Sequence, residues 1–151
     1  MDNRRRSTAD QQHEELVKTR ALFDANPDFV FETDMRGTIV RVNRRCRDAT
    51  GYMPEEVEGR SYERFVAEED WNHCSNRFGL ARRGEPQRFE ALVNHKSGHQ
   101  LLFNIVAVPI EAAGSIVGVY AIAADITDKK LREDRINHIV YHDELTGLPN
   151  R

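Results

Sequence analysis

The residues in this chain that could do chemistry are its histidines, cysteines and clustered carboxylates, and none has the spacing that catalysis requires. His138 and His142 stand four apart, which places two imidazoles on one helix face for a metal, but no third ligand accompanies them. Cys46 and Cys74 lack the Cys-x-x-Cys spacing of zinc and redox sites. With no other thiol and no signal peptide, both are expected to be reduced. Neither a Gly-x-Ser-x-Gly turn nor a His-Glu-x-x-His pair is present, so an activated serine or a zinc-bound water is not expected. The chemistry left to such a sequence is recognition, and the chain itself is not expected to be an enzyme.

Charge and hydropathy narrow what could be recognised. Over 151 residues the net charge is -3, and the arginine clusters Arg4 to Arg6, Arg44-Arg45 and Arg82-Arg83 sit among acids without forming a basic face. Nucleic acid is therefore not an expected partner. The longest apolar stretches, Leu101 to Ile110 and Ile116 to Ala124, fall short of the ~20 residues of a membrane span. The segment is expected to be cytoplasmic and to make no membrane contact.

The elements that must position any binding residues can be read from periodicity and punctuation. Ser7 to Phe23 predicts an amphipathic lead-in helix that Asn26-Pro27 stops. Phe29 to Asp34 and Thr38 to Asn43 predict two strands joined by Met35-Arg36-Gly37, with Val40 and Val42 sharing a face of the second. Asn43 is placed to cap a short helix that Gly51 ends, Pro54 opens another, and Tyr62 to Val66 forms a third turn. From Glu68 to about Arg83 a longer helix carries Trp71, Cys74, Phe78 and Ala81 at three- and four-residue steps, an inward stripe. Gln87 to Asn94, Gln100 to Val108 and Ile116 to Asp125 predict three further strands. The last of these, rich in small residues, ends at Asp125-Ile126-Thr127 and runs straight into a charged helix. The order predicts an α+β domain built on one antiparallel sheet.

This order and these residues resemble the PAS family of sensory domains. The matching residues are Asp34 to Gly37 in the first hairpin, Asn43, Gly51-Tyr52, Pro54 to Gly59, and Asp125-Ile126-Thr127, in sequence across about residues 21–130. The resemblance implies a five-stranded antiparallel sheet whose inner face and small helices enclose a cleft for a small ligand or cofactor. Similarity to flavin-binding members points Phe31, Thr33, Val40, Val42, Phe103, Ile105, Ala107, Val119, Ala121 and Ala123 into that cleft. Trp71 and Phe78 would face them from the long helix. Ordinary core packing explains the same alternation, so a ligand-free dimerisation scaffold stays open.

Family members carry haem, flavins, carboxylic acids, fatty acids or nothing, and the cofactor here is unknown. His73 falls where haem-binding PAS oxygen sensors resemble this chain and carry their iron-ligating histidine, which makes a haem-based gas or redox sensor one alternative. A flavin–cysteine adduct is not expected, because Ser61 to Phe65 supplies no thiol where light-sensing relatives have one. Flavin held without a covalent bond remains open.

The tail carries a second resemblance. Tyr141 to Arg151 is similar to the opening segment of bacterial diguanylate cyclase (GGDEF-type) domains, which make cyclic di-GMP, although the catalytic body of such a domain is absent. The resemblance implies a parent diguanylate cyclase, alone or with a phosphodiesterase domain, and a homodimer, since a cyclic dinucleotide joins two GTP molecules. Leu131, Ile136, Ile139, Val140 and Leu145 of the connecting helix fit a heptad poorly. The expected organisation is an N-terminal helix over 1–24, a PAS domain over 25–127, a signalling linker helix over 128–142 and the start of a cyclase domain over 143–151. Asp125, Ile126 and Thr127 are expected to transmit the signal to a C-terminal cyclase domain in cis.

Overall fold

The computed structural model describes residues 21–133. After a helical turn over 21–25 come strands β1 (Phe29–Asp34) and β2 (Ile39–Val42), then the short helices α1 (Cys46–Thr50) and α2 (Pro54–Val57). Two 3₁₀ turns, Tyr62–Phe65 and Glu68–Asp70, lead into α3 (Trp71–Arg82). Strands β3 (Gln87–Asn94), β4 (Gln100–Ala112) and β5 (Ser115–Asp125) complete the body. A further helix starts at 127 and is described to 133. This is the α+β arrangement that the sequence predicts. Most of the lead-in and linker helices, the His138 and His142 pair and the cyclase-like tail lie outside the described residues.

All five strands form one antiparallel sheet in the order β2-β1-β5-β4-β3. The last strand in sequence is therefore the central one, held on both sides. Its inner face carries only Val119, Ala121 and Ala123, each buried. Ala123 lies between Phe29 of β1 and Ile105 of β4, and Ala121 between Phe31 and Ala107. Small side chains in the middle of the sheet, with aromatic ones beside them, leave space beneath the helices that packing must fill or leave open. Gly118 serves the same close packing, because a side-chain carbon there would overlap the Thr33 carbonyl across the strand pair.

Two local features go beyond the sequence reading. Strand β2 carries one extra residue: Glu32 pairs with Arg41 but Thr33 pairs with Ile39, so Val40 is left over between them. Such a bulge re-aims side chains. It turns Ile39 inward at 3% exposure and Val40 outward at 58%. Asn43, read as a helix cap, does accept from the Arg45 N–H at its Oδ1 (3.3 Å) as the chain enters α1, and it is also a buried staple. Its Oδ1 accepts from the Val30 N–H (3.0 Å), and its Nδ2 donates to the carbonyls of Phe23 (3.0 Å) and Asp28 (2.9 Å). The N-cap position of α1 belongs to Arg45.

Candidate functional site

Between the inner face of the sheet and the helices lies a cavity of about 80 Å³. Phe31, Thr33, Phe103, Ile105 and Ala107 line its sheet side together with Val119, Ala121 and Ala123, and Phe78 of α3 lines it from above. These residues of the implied cleft converge as strand alternation and the α3 stripe direct them. Three others do not. Val40 is the bulged, exposed residue described above. Val42 is buried in the core but does not line the cavity. Trp71 occupies the first turn of α3 and is 47% exposed; its indole N–H donates to the Val66 carbonyl (2.9 Å), so the ring lies against the preceding turn.

Other lining residues escaped the sequence reading. Phe29 stands two residues before Phe31, and Phe89 and Val93 alternate along β3, so period two carried far enough would have found all three. Ile39 was hidden by the bulge. Thr50, Val57, Tyr62, Phe65 and Val66 come from the short helices and turns, where no period exists to give direction. Gly37 shapes this wall: its φ of 88° closes the β1–β2 turn, and a Cβ there would meet the Tyr62 ring at 2.8 Å.

No lining residue carries a charge. The Thr50 hydroxyl is occupied, donating to the Cys46 carbonyl at 2.7 Å. Burial pushes the Cys74 thiol up to about 11 and raises the Tyr62 phenol well above its ordinary value, so both are neutral at physiological pH. Thr33 differs: it is 4% exposed, and its Oγ1 has no hydrogen-bond partner.

These residues do not fit the two cofactors that the sequence left open. His73 is not part of the cavity wall. It packs edge-on against Phe89, with ring centroids 5.5 Å apart, and so cannot present a nitrogen to a group inside without moving. A flavin needs polar partners for its ring edge and far more room than about 80 Å³. Among the described residues no group of three or more metal-ligating side chains occurs.

At the end of β5 the three residues read as a transmission element form a compact joint. Asp125 Oδ1 accepts from the Thr127 N–H (2.9 Å) and hydroxyl (2.6 Å), a side-chain cap at the start of the following helix. Thr127 Oγ1 in turn accepts from the Leu102 N–H (2.9 Å), and the Ile126 N–H donates to the Leu102 carbonyl (2.9 Å). Leu102 precedes Phe103, which lines the cavity. One residue thus separates the cavity wall from the anchor of the outgoing helix.

An antiparallel five-stranded sheet covered by short helices, with an apolar cavity between them and an outgoing helix tied to its central strand, defines a sensory input domain. The family model for the PAS fold matches residues 23–131, and the chain belongs to that family. The PAS domain of a protein from Colwellia psychrerythraea superposes with a TM-score of 0.67 at 27% identity, covering 75% of this chain and 98% of that one. The uncharacterized protein y4lL of Sinorhizobium fredii is 29% identical across 97% of this chain and 19% of its own length. The cyclic di-GMP phosphodiesterase PdeR of Escherichia coli K12 is 30% identical across 78% of this chain and 18% of its own length. The chain therefore spans about a fifth of the curated relatives that it matches. No helix among the described residues is long and apolar enough to cross a membrane.

Proposed function

We propose that this chain is a cytoplasmic PAS signal-input and dimerisation module that binds a small ligand and regulates a C-terminal diguanylate cyclase domain. The observation that carries the reading is the joint at Leu102 and Thr127, which couples the cavity wall to the outgoing helix. A ligand that repacks Phe103 or the alanines of β5 would shift the strand ends and, through Asp125 and Thr127, the helix. Coupling of this kind is typically worth ~1–3 kcal/mol, enough to change output several-fold. The space left in the cavity supports ligand binding over a filled scaffold. Cyclic di-GMP as the output rests on the tail's resemblance to cyclase openings and on similarity to a protein named for cyclic di-GMP chemistry. Two cyclase domains would meet in a homodimer of such chains.

The test uses the full-length protein and measures cyclic di-GMP formed from GTP. Thr127→Val and Asp125→Ala, which break the joint without entering the cavity, are expected to change the rate several-fold and to remove its dependence on added ligand. An unchanged rate and unchanged ligand response would remove the basis for this route.

A further inference from the structure

The geometry points to a metal site at the tip of the β3–β4 hairpin, where His95 and His99 chelate a late divalent transition ion such as zinc, nickel or copper. Asn94 and Gln100 are the last pair of the β3–β4 ladder, so His95 and His99 face each other one step beyond it. The His95 N–H donates to the His99 carbonyl (2.9 Å) and closes the turn. Residues opposite one another on an antiparallel pair hold their Cβ atoms about 4.5–5.5 Å apart, close enough for two imidazoles to reach one ion. The two rings already lie together, with centroids 4.4 Å apart and planes 18° from parallel.

Both rings turn the same nitrogen towards one point. The Nδ1 atoms of His95 and His99 stand 2.9 and 2.7 Å from the Ser97 hydroxyl oxygen. The Ser97 N–H also donates to His95 Nδ1 (3.1 Å), so that nitrogen presents a lone pair, which is what a metal takes. Metal–nitrogen bonds are about 2.0–2.1 Å long, so small ring rotations close the pair on an ion that takes over from Ser97. Ser97 and His99 are exposed, which leaves water to fill the remaining coordination positions and to bond the released Ser97 N–H. With two protein ligands, the site is an exchangeable one and not a closed structural centre. The rest of the turn is held in place. The His95 ring packs so closely on Gly51 that a Cβ there would overlap it, and the Lys96 N–H donates to the Thr50 carbonyl (2.9 Å). The Lys96 ammonium is paired with Glu56 (2.8 Å), so the turn's own cation is balanced. Imidazole favours late transition ions over magnesium or calcium, which take oxygen ligands.

The experiment titrates the 151-residue chain with zinc chloride and, separately, with magnesium chloride, following the imidazole ring signals of His95 and His99 by NMR. Zinc is expected to move both rings together along one saturable curve, and magnesium to move neither. His99→Gln, an exposed change, should weaken the zinc response of His95 by at least about tenfold, because even an outer hydrogen-bond partner of a metal ligand is worth about 10- to 100-fold in affinity. His95→Gln should do the same to His99. Replacing the other histidine pair, His138→Gln with His142→Gln, should leave both curves unchanged. Ring signals that do not saturate with zinc, that respond equally to magnesium, or that titrate unchanged at His95 in His99→Gln overturn the inference. So does loss of the response in the His138→Gln and His142→Gln chain, which would place the ion there.

Discussion

Asn43 shows how much one side chain can hold. Its amide connects the end of β2 to the chain entering β1, and with 1% of its surface exposed it has no access to water in compensation. Asn43→Ala would leave the Val30 N–H and two carbonyls without those partners. We expect a loss of at least ~2 kcal/mol in urea denaturation, because orphaned buried polar groups cost about 1–3 kcal/mol each. Its local role at the entry to α1 was legible, but its long-range role was not. A helix cap is a local device read from spacing, whereas the Val30 partner lies 13 residues upstream and meets Asn43 only when the strands pair. Val40 was misread for a related reason, since an alternating pattern does not reveal where a strand carries an extra residue.

At the scale of elements, regular strands and the middle of α3 followed their periods closely. Cys74, Phe78 and Ala81 face inward because steps of three and four residues return to one side of a helix. Trp71 extends the same spacing but lies in the first turn, where the indole N–H finds an unused carbonyl instead. The short α2 is tied to the β3–β4 hairpin by Lys96, whose ammonium reaches both oxygens of Glu56 at 3.0 and 2.8 Å. That hydrogen bond is the main cause holding the Glu56 carboxyl below its usual value, with the Met53 amide next. A depressed carboxyl contributes stability that is present above its unfolded value and fades as the pH falls through its folded one. Because the pair is exposed, the contribution should be small and sensitive to salt. In carboxyl NMR titrations, Lys96→Met should move the Glu56 midpoint back up towards 4.5. An unmoved midpoint would mean that the hairpin and α2 do not meet as described.

The whole molecule places a strand of small residues at the centre of its sheet, a cavity against that strand and an outgoing helix at its end. The sheet, its five strands and much of the cavity's sheet side were legible, because antiparallel alternation is a strong signal. The wall built by short helices was not, and the fate of Thr33's hydroxyl depends on two neighbouring strands at once. The same buried interior sets an alkaline limit. Burial raises Cys46 and Cys74 to about 11 from 9.0, so the folded chain keeps protons that the unfolded chain releases. Stability from these thiols is complete below about pH 9 and is lost as the pH rises through 11. Urea midpoints should be flat from pH 7 to 8.5 and then fall, with a shallower fall in Cys74→Ala.

The most direct measurement is an amide and methyl NMR titration of this chain with acetone, a small neutral probe suited to a cavity of about 80 Å³, comparing the Ala121 and Ala123 methyls with the Leu102 and Thr127 amides. The account predicts that both sets shift along one binding curve, and that Thr127→Val keeps the methyl shifts while losing those at Leu102. Saturating methyl shifts with the Leu102 and Thr127 amides unmoved would contradict it, because the cavity would then be disconnected from the helix that leaves it.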